Sequence, residues 1–340
     1  MGLKPSFRLQ ANSQDITDKL KARLISLRYT DEAGYESDIL EITLSDHDPA
    51  NPIQVPETGA ELELSLGYDE EVERIGLFVV DEIEMAGWPG EMVIRARAAP
   101  FEESKNGQAT LQSQKSRHWE VDTTIGDMVD KIAGEHGLES AVADAIKSIK
   151  LPHTVQADES DMHLLVRIAK KYDAVVKPAG GKLVVAKRGT AKTTSGKQMP
   201  AVEIKPEQVT SWRVVQSTRE TAGMVVAYWR AIKEAKRNEA KAGSGEPVTR
   251  LRMTYPTEEM ALAAARSELD RRERQKVTLS VTLPGRTGLV AEAPLIMTGF
   301  RDGVDGEWSV TRSIHTLDAG GYSTTAEAEI PTDGEEPTSA

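Results

Sequence analysis

The 340-residue chain has no cysteine. That excludes disulfides, thiolate nucleophiles and cysteine-held metals, and it fits folding in a reducing compartment. Aromatic residues are scarce, 5% against 39% hydrophobic residues in all, so the expected cores are aliphatic and thin. No stretch approaches the roughly 18 apolar residues of a membrane span. The N-terminal MGLKPSFRLQ has no apolar region of the signal-peptide kind. Neither a signal peptide nor membrane insertion is therefore expected. GxSxG, the P-loop, GxGxxG and HExxH are all missing as well.

What is present in excess is acid, and at one end. The net charge is −12, and residues 1–110 carry 22 Asp/Glu against 10 Lys/Arg, whereas residues 111–340 carry 32 of each. Such a block repels nucleic acid. It reads either as a solubilising surface or as a wall to which a passing polyanion must not stick. The length is enough for two or three domains.

The most sharply punctuated stretch is Gln156 to Arg188. Asp158, Glu159, Ser160 and Asp161 place acids and a capping hydroxyl at a helix start. Leu164, Leu165, Ile168, Ala169 and Tyr172 then form one apolar stripe, and Lys170 and Lys171 suit the last turn. Ala174–Lys177 and Leu183–Ala186 are β-type runs around Pro178-Ala179-Gly180-Gly181, which predicts a hairpin over 174–187. Upstream, Thr124 precedes Ile125, Met128, Val129, Ile132 and Ala133 at helical spacing, with Asp127 placed for a capping box and Gly137 at the C-terminal end. Residues 101–122 read as a polar loop, and Ser140–Ile149 as a short helix or a set of turns.

Alternating blocks flank this α+β unit. Leu40, Ile42 and Leu44, then Leu62, Leu64 and Leu66, then Gly76–Met85 and Met92–Ala98 are strand patterns in the first 100 residues, a small antiparallel barrel or sandwich. After a linker at 189–200, Val202–Ile204, Trp212–Val215, Met224–Trp229, Val277–Leu283, Leu295–Gly299, Trp308–Leu317 and Ser323–Ile330 repeat the pattern. Thr257 caps a helix reaching about Arg274, Lys233–Glu246 reads as an exposed charged loop, and residues 331–340 as a disordered tail.

Candidate chemistry is sparse. Histidines at 47, 118, 136, 153, 163 and 315 make no paired motif. Asp46-His47-Asp48 is a strand-ending turn before it is a cation site, and Asp302, Asp305 and Glu307 fail the calcium-loop spacing. Lys233, Lys236, Arg237 and Lys241 lack interleaved aromatics, so a solvated loop is favoured over a nucleic-acid site. No carboxylate pair stands out for glycosidase chemistry. No catalytic, cofactor-binding or metal-binding residue is nominated, and the chain is not expected to be an enzyme.

QADESDMHLLVRIAKKYDAVVKPAGGKLVVAKRG resembles the central segment of the phage late control protein D family, the baseplate hub proteins of P2-like contractile tails. TTIGDMVDKIAGEHGL and LPGRTGLVAEAPLIMTGFRDGVDGEWSVTRSIHTLDAGGYSTTAEAEI are similar to that family too, so the resemblance spans roughly residues 5–330. More distantly the chain resembles the hub part of VgrG proteins and the T4 hub protein. The resemblance implies an α+β, mainly β fold. Two tube-type antiparallel β-barrel domains, at 1–100 and 201–330, would flank the insert at 101–188, with helices near 124–136, 160–172 and 258–274. It implies a homotrimer in the virion baseplate, assembled in the host cytoplasm, between a six-fold tail tube and a separate three-fold spike. Other baseplate proteins are expected as neighbours. DNA would pass through the channel without sequence-specific binding. Two other classes stay open: a tail-tip cell-wall hydrolase, and a peptidoglycan-binding module on residues 124–150.

Overall fold

The computed structural model describes residues 3–34, 37–99, 111, 113–179, 181–189, 199–217, 223–230 and 236–331. Most of the 189–200 linker, the start of the 101–122 loop and the 331–340 tail thus lie outside the described residues. The fold is mainly β, as the period-two patterns predict.

The first block runs β1 (Pro5–Ala11), β2 (Gln14–Asp15), α1 (Thr17–Lys21), β3 (Leu24–Glu32), β4 (Ile39–Ser45), β5 (Glu61–Tyr68), β6 (Glu71–Ala86) and β7 (Glu91–Ala98). Leu40, Ile42 and Leu44 of β4 point inward, as do Leu62, Leu64 and Leu66 of β5, and the acids between them point out. They pack with Leu9, Leu27 and Met92, and with the aromatic rings of Phe7, Tyr29, Phe78 and Tyr322, into one core.

The insert follows as β8 (Gln114–Trp119), α2 (Ile125–Glu135), β9 (Glu139–Val142), α3 (Asp144–Lys147), β10 (Thr154–Ser160), α4 (Asp161–Ala169), β11 (Ala174–Ala179) and β12 (Lys182–Lys187). The capping box of α2 is complete: Asp127 N donates to Thr124 Oγ1 at 3.0 Å, and Thr124 N to Asp127 Oδ2 at 3.3 Å. Ser160 caps α4 by accepting from His163 N. Leu164, Leu165 and Ile168 share one core with Ile125, Met128 and Val129 of α2, and β11 pairs with β12 from Ala174↔Lys187 to Ala179↔Lys182. Leu165→Ala is expected to destabilise the chain by about 2–5 kcal/mol. A thermal melt checks this, and an unchanged midpoint would contradict the burial. Two readings need correction. Gln114–Trp119 is a strand paired with β10, not loop; its inward residues are Lys115, Arg117 and Trp119, so charge hid the alternation. Ser140–Ile149 contains the end of β9 as well as α3.

The last block comprises β13 (Val202–Ile204), β14 (Ser211–Gln216), β15 (Met224–Trp229), β16 (Asn238–Gly243), β17 (Val248–Tyr255), α5 (Glu258–Arg274), β18 (Val277–Pro284), β19 (Pro294–Met297), β20 (Gly306–Asp318) and β21 (Gly321–Glu329). The supposed loop at 233–246 holds β16, whose inward residues are only alanines, Ala240 and Ala242. Strands β16-β15-β17 form a separate small sheet on which α5 lies through Ala261 and Ala265.

The remaining strands do not stand apart from the first block. β20 pairs antiparallel with β3, from Arg312↔Glu32 to Asp318↔Ser26. One 13-stranded sheet therefore runs β14-β18-β21-β20-β3-β4-β7-β6-β5-β1-β2, with β13 and β19 attached beside β20. Among the described residues this pairing runs end to end without returning on itself.

Candidate functional site

The joint between β3 and β20 is where the two β blocks become one object. Its inner face is polar at the centre. His315 is fully buried, stacks on Tyr29 at 5.6 Å between ring centroids, and bonds through Nδ1 to Tyr322 Oη at 2.9 Å. Ser313 Oγ lies 3.1 Å from His315 Nε2 and donates to Leu289 O. Burial pushes the imidazole down to about 4, so it is neutral at physiological pH and acts as a hydrogen-bonded spacer. On the outer face Arg312 pairs with Glu32 across the same joint.

Two ion clusters, one part-buried and one buried, tie the insert to this joint. In the first, Lys177 of β11 donates to Asp38 Oδ1 at 2.5 Å and Asp31 Oδ1 at 3.2 Å, while Asp31 Oδ2 accepts from Ala291 N at 2.9 Å. First block, insert and last block therefore meet on one carboxylate. Burial and the neighbouring Asp31 push the Asp38 carboxyl up to about 7 despite Lys177. In the second, Arg274 at the end of α5, 2% exposed, donates to Asp173 Oδ1 at 2.8 Å and to Glu329 Oε1 at 3.0 Å. Glu329 is raised by burial, and Arg274 only partly offsets this.

A third cluster lies inside the insert. Asp161, with no exposed surface, accepts from Lys115 Nζ at 2.6 Å, Arg117 Nη2 at 2.5 Å and Gln156 Nε2 at 2.9 Å, with His136 Nε2 at 2.8 Å. Burial alone would raise this carboxyl. The hydrogen bonds from Lys115, Gln156 and His136, with the Arg117 charge, outweigh it and hold it at about 2. Glu135, His136 and Asp161 offer three ligand atoms close enough together for a metal. The donor set does not fit one. Lys115 and Arg117 already bond both Glu135 and Asp161, and a divalent ion there would face two fixed cations.

The other sequence candidates fall apart spatially. Asp46 pairs with Arg23 and accepts from Ile53 N, His47 bonds Ser45, and Asp48 accepts from Ala50 N, so this stretch is a turn. Asp305 accepts from Phe300 N, again turn chemistry. His118 and His153 stack on each other at 5.9 Å. Two of the surface clefts measure about 290 Å³, beside β9, and about 430 Å³, beside Lys205. In the first, Asp130 accepts from Ser140 and Glu139 pairs with Lys182.

The sheet ends are unlike. At β1, Thr17 Oγ1 and Ile16 N occupy the Leu9 backbone and blunt that edge. At the other end β14 pairs, among the described residues, with β18 alone, and it leaves Trp212 and Val215 about 40% exposed.

The joint residues Asp31, Asp38, Lys177, Arg274 and Glu329 were not nominated from sequence. One signal was there: Asp31 continues the inward alternation of Leu27 and Tyr29, a core position given to an acid.

Comparison with known proteins gives a consistent answer. Residues 39–321 match the family described as phage tail baseplate hub (GPD). The "probable baseplate hub protein" of Escherichia phage 186 is 33% identical, covering 96% of this chain and 93% of that one; its counterpart in Escherichia phage P2 is 31% identical, covering 96% and 94%. Among solved structures, the 43 kDa tail protein of prophage MuSo2 from Shewanella oneidensis superposes with a TM-score of 0.71 at 16% identity, covering 96% of this chain and 99% of that one. A type VI secretion component from E. coli, described as similar to T4 tail proteins, gives 0.56 at 10% identity, covering 92% and 74%.

Proposed function

Because the chain belongs to the phage tail baseplate hub family, and so is a structural component of the virion tail, we propose that it acts as a homotrimeric connector. In this reading the tail tube seats on one side and a separate spike protein on the other. The supporting observation is the β3–β20 joint. Each chain carries two β blocks, at 1–100 and 201–330, already fused edge to edge. Three copies in a ring would present six such blocks to a six-fold tube while keeping three-fold symmetry for the spike. The joint within the chain is also the pattern for the joint between chains. The open edge of β14 would pair with the uncovered N-terminal part of β1 on the next copy, where Thr17 and Ile16 do not yet cover it. Part of the acid excess of residues 1–110 would line the channel, where like charge keeps a passing polyanion from sticking.

Native mass spectrometry of the purified protein tests the stoichiometry, with three times the 37.1 kDa chain mass expected. A stable monomer or dimer within assembled particles would overturn the trimer. A density map showing a channel lined mainly by Lys and Arg would overturn the acidic lining and leave the connector standing.

A further inference from the structure

The small sheet β16-β15-β17 covers α5 with one face and presents the other outward. That outward face reverses the charge of the chain. Residues 223–230 and 236–255 hold six lysines and arginines against two acids, within a chain of net −12. Lys241 and Arg250 flank Val226 in register, and Val226 is fully buried, so the face has an apolar floor under charged heads. Tyr228 stands on the same face. The Arg237 guanidinium lies 3.8 Å from its ring centroid, and Arg250 Nη1 donates to its hydroxyl at 3.1 Å. The aromatic missing from the linear run Lys236, Arg237, Lys241 is thus supplied by a neighbouring strand. The acid on this face, Glu239, is shared by Lys241 and Arg250. Arg230, Lys236 and Arg252 are exposed and have no carboxylate partner among the described residues.

We propose that this face binds a nucleic-acid phosphate backbone, without sequence preference. Its size argues for that occupant over a protein. Three strands of six to eight residues span roughly 250–350 Å², well short of the ~800 Å² per partner in a stable protein interface. A phosphate backbone needs only point contacts from cations, and arginine pairs with phosphate in bidentate fashion. The Arg237 guanidinium, stacked on the Tyr228 ring, gives a base a flat cation to lie against, without a code to read.

The test uses the full-length protein and a fluorescein-labelled 20-nucleotide oligothymidylate, followed by anisotropy. With four phosphates contacted, affinity should fall about fifty-fold between 50 and 200 mM KCl. The triple variant Arg237→Gln/Arg250→Gln/Arg252→Gln should lose at least about tenfold at 50 mM, with a log–log salt slope shallower by about 2. Lys150→Gln, on the insert, should bind as the wild type does. Circular dichroism confirms that the triple variant is folded. Absence of salt-dependent binding by the wild type overturns the proposal, as does wild-type binding by the triple variant. If the triple variant instead alters the oligomeric mass with oligonucleotide binding unchanged, the face is a contact between copies and the assignment is wrong.

Discussion

Arg274→Met is expected to cost about 3–5 kcal/mol of folding stability, because it strands two buried carboxylates. Asp173 and Glu329 are both nearly inaccessible and both bond the Arg274 guanidinium. The side chain fastens α5 to the insert through Asp173 and to β21 through Glu329. Both acids are less than a tenth exposed, so removing the cation leaves them poorly solvated. The cost should shrink in acid, since a protonated Glu329 no longer needs a counter-charge. It should also shrink in the triple variant Arg274→Met/Asp173→Asn/Glu329→Gln, which leaves no charge behind. Urea midpoints of the single and triple variants at pH 5 and pH 8 decide the matter. A single variant as stable as the wild type at pH 8 would mean that the pair of acids finds another partner.

Lys177→Met should show the second large effect, about 3–5 kcal/mol at pH 8 and much less at pH 5. Here two acids, Asp31 and Asp38, share one part-buried ammonium where the first block, the insert and the last block meet. The wild type already reports the strain. Asp38 in the folded chain titrates at about 7, above its ordinary 3.8, so the folded state holds its proton more tightly. That contribution is complete below pH 4, declines as pH rises through 7, and is gone above. Each unit of separation is worth about 1.4 kcal/mol. Asp38→Asn removes the dependence. Its stability relative to the wild type should therefore climb between pH 4 and pH 8 and then level off. Parallel stability curves for the two proteins over that range would assign the titration to another group.

Much of this molecule is visible in its sequence where local physics decides. Thr124 and Asp127 make the capping box they spell, Ser160 caps the helix it precedes, and the Leu62-Leu64-Leu66 alternation is a half-buried strand. The misses share one cause: the inward positions carry almost no large apolar side chains. β8 turns Lys115 and Arg117 inward to meet Asp161, and β16 turns in only alanines. Arg274 reads as a cation favouring a helix terminus, yet it is nearly inaccessible and bonded to two acids. The order of β block, insert and β block was legible in the alternating patterns that flank the α+β stretch, and the family resemblance implies the same order. The pairing of β3 with β20 is beyond any local pattern, because edge complementarity between strands so far apart leaves no periodic trace.

That pairing also sets a timetable for the nascent chain. Glu32 and Arg312 are 280 residues apart in sequence. At about 5–20 residues per second, roughly 15–55 s separate the emergence of β3 from that of its partner. The first core takes Leu317 and Tyr322 from near the C-terminus, so until then it lacks part of its packing and keeps a bare strand edge. A fragment ending before β20 should consequently behave as an aggregation-prone intermediate and not as a free-standing first domain. The chain has to be finished at its far end before its beginning can settle.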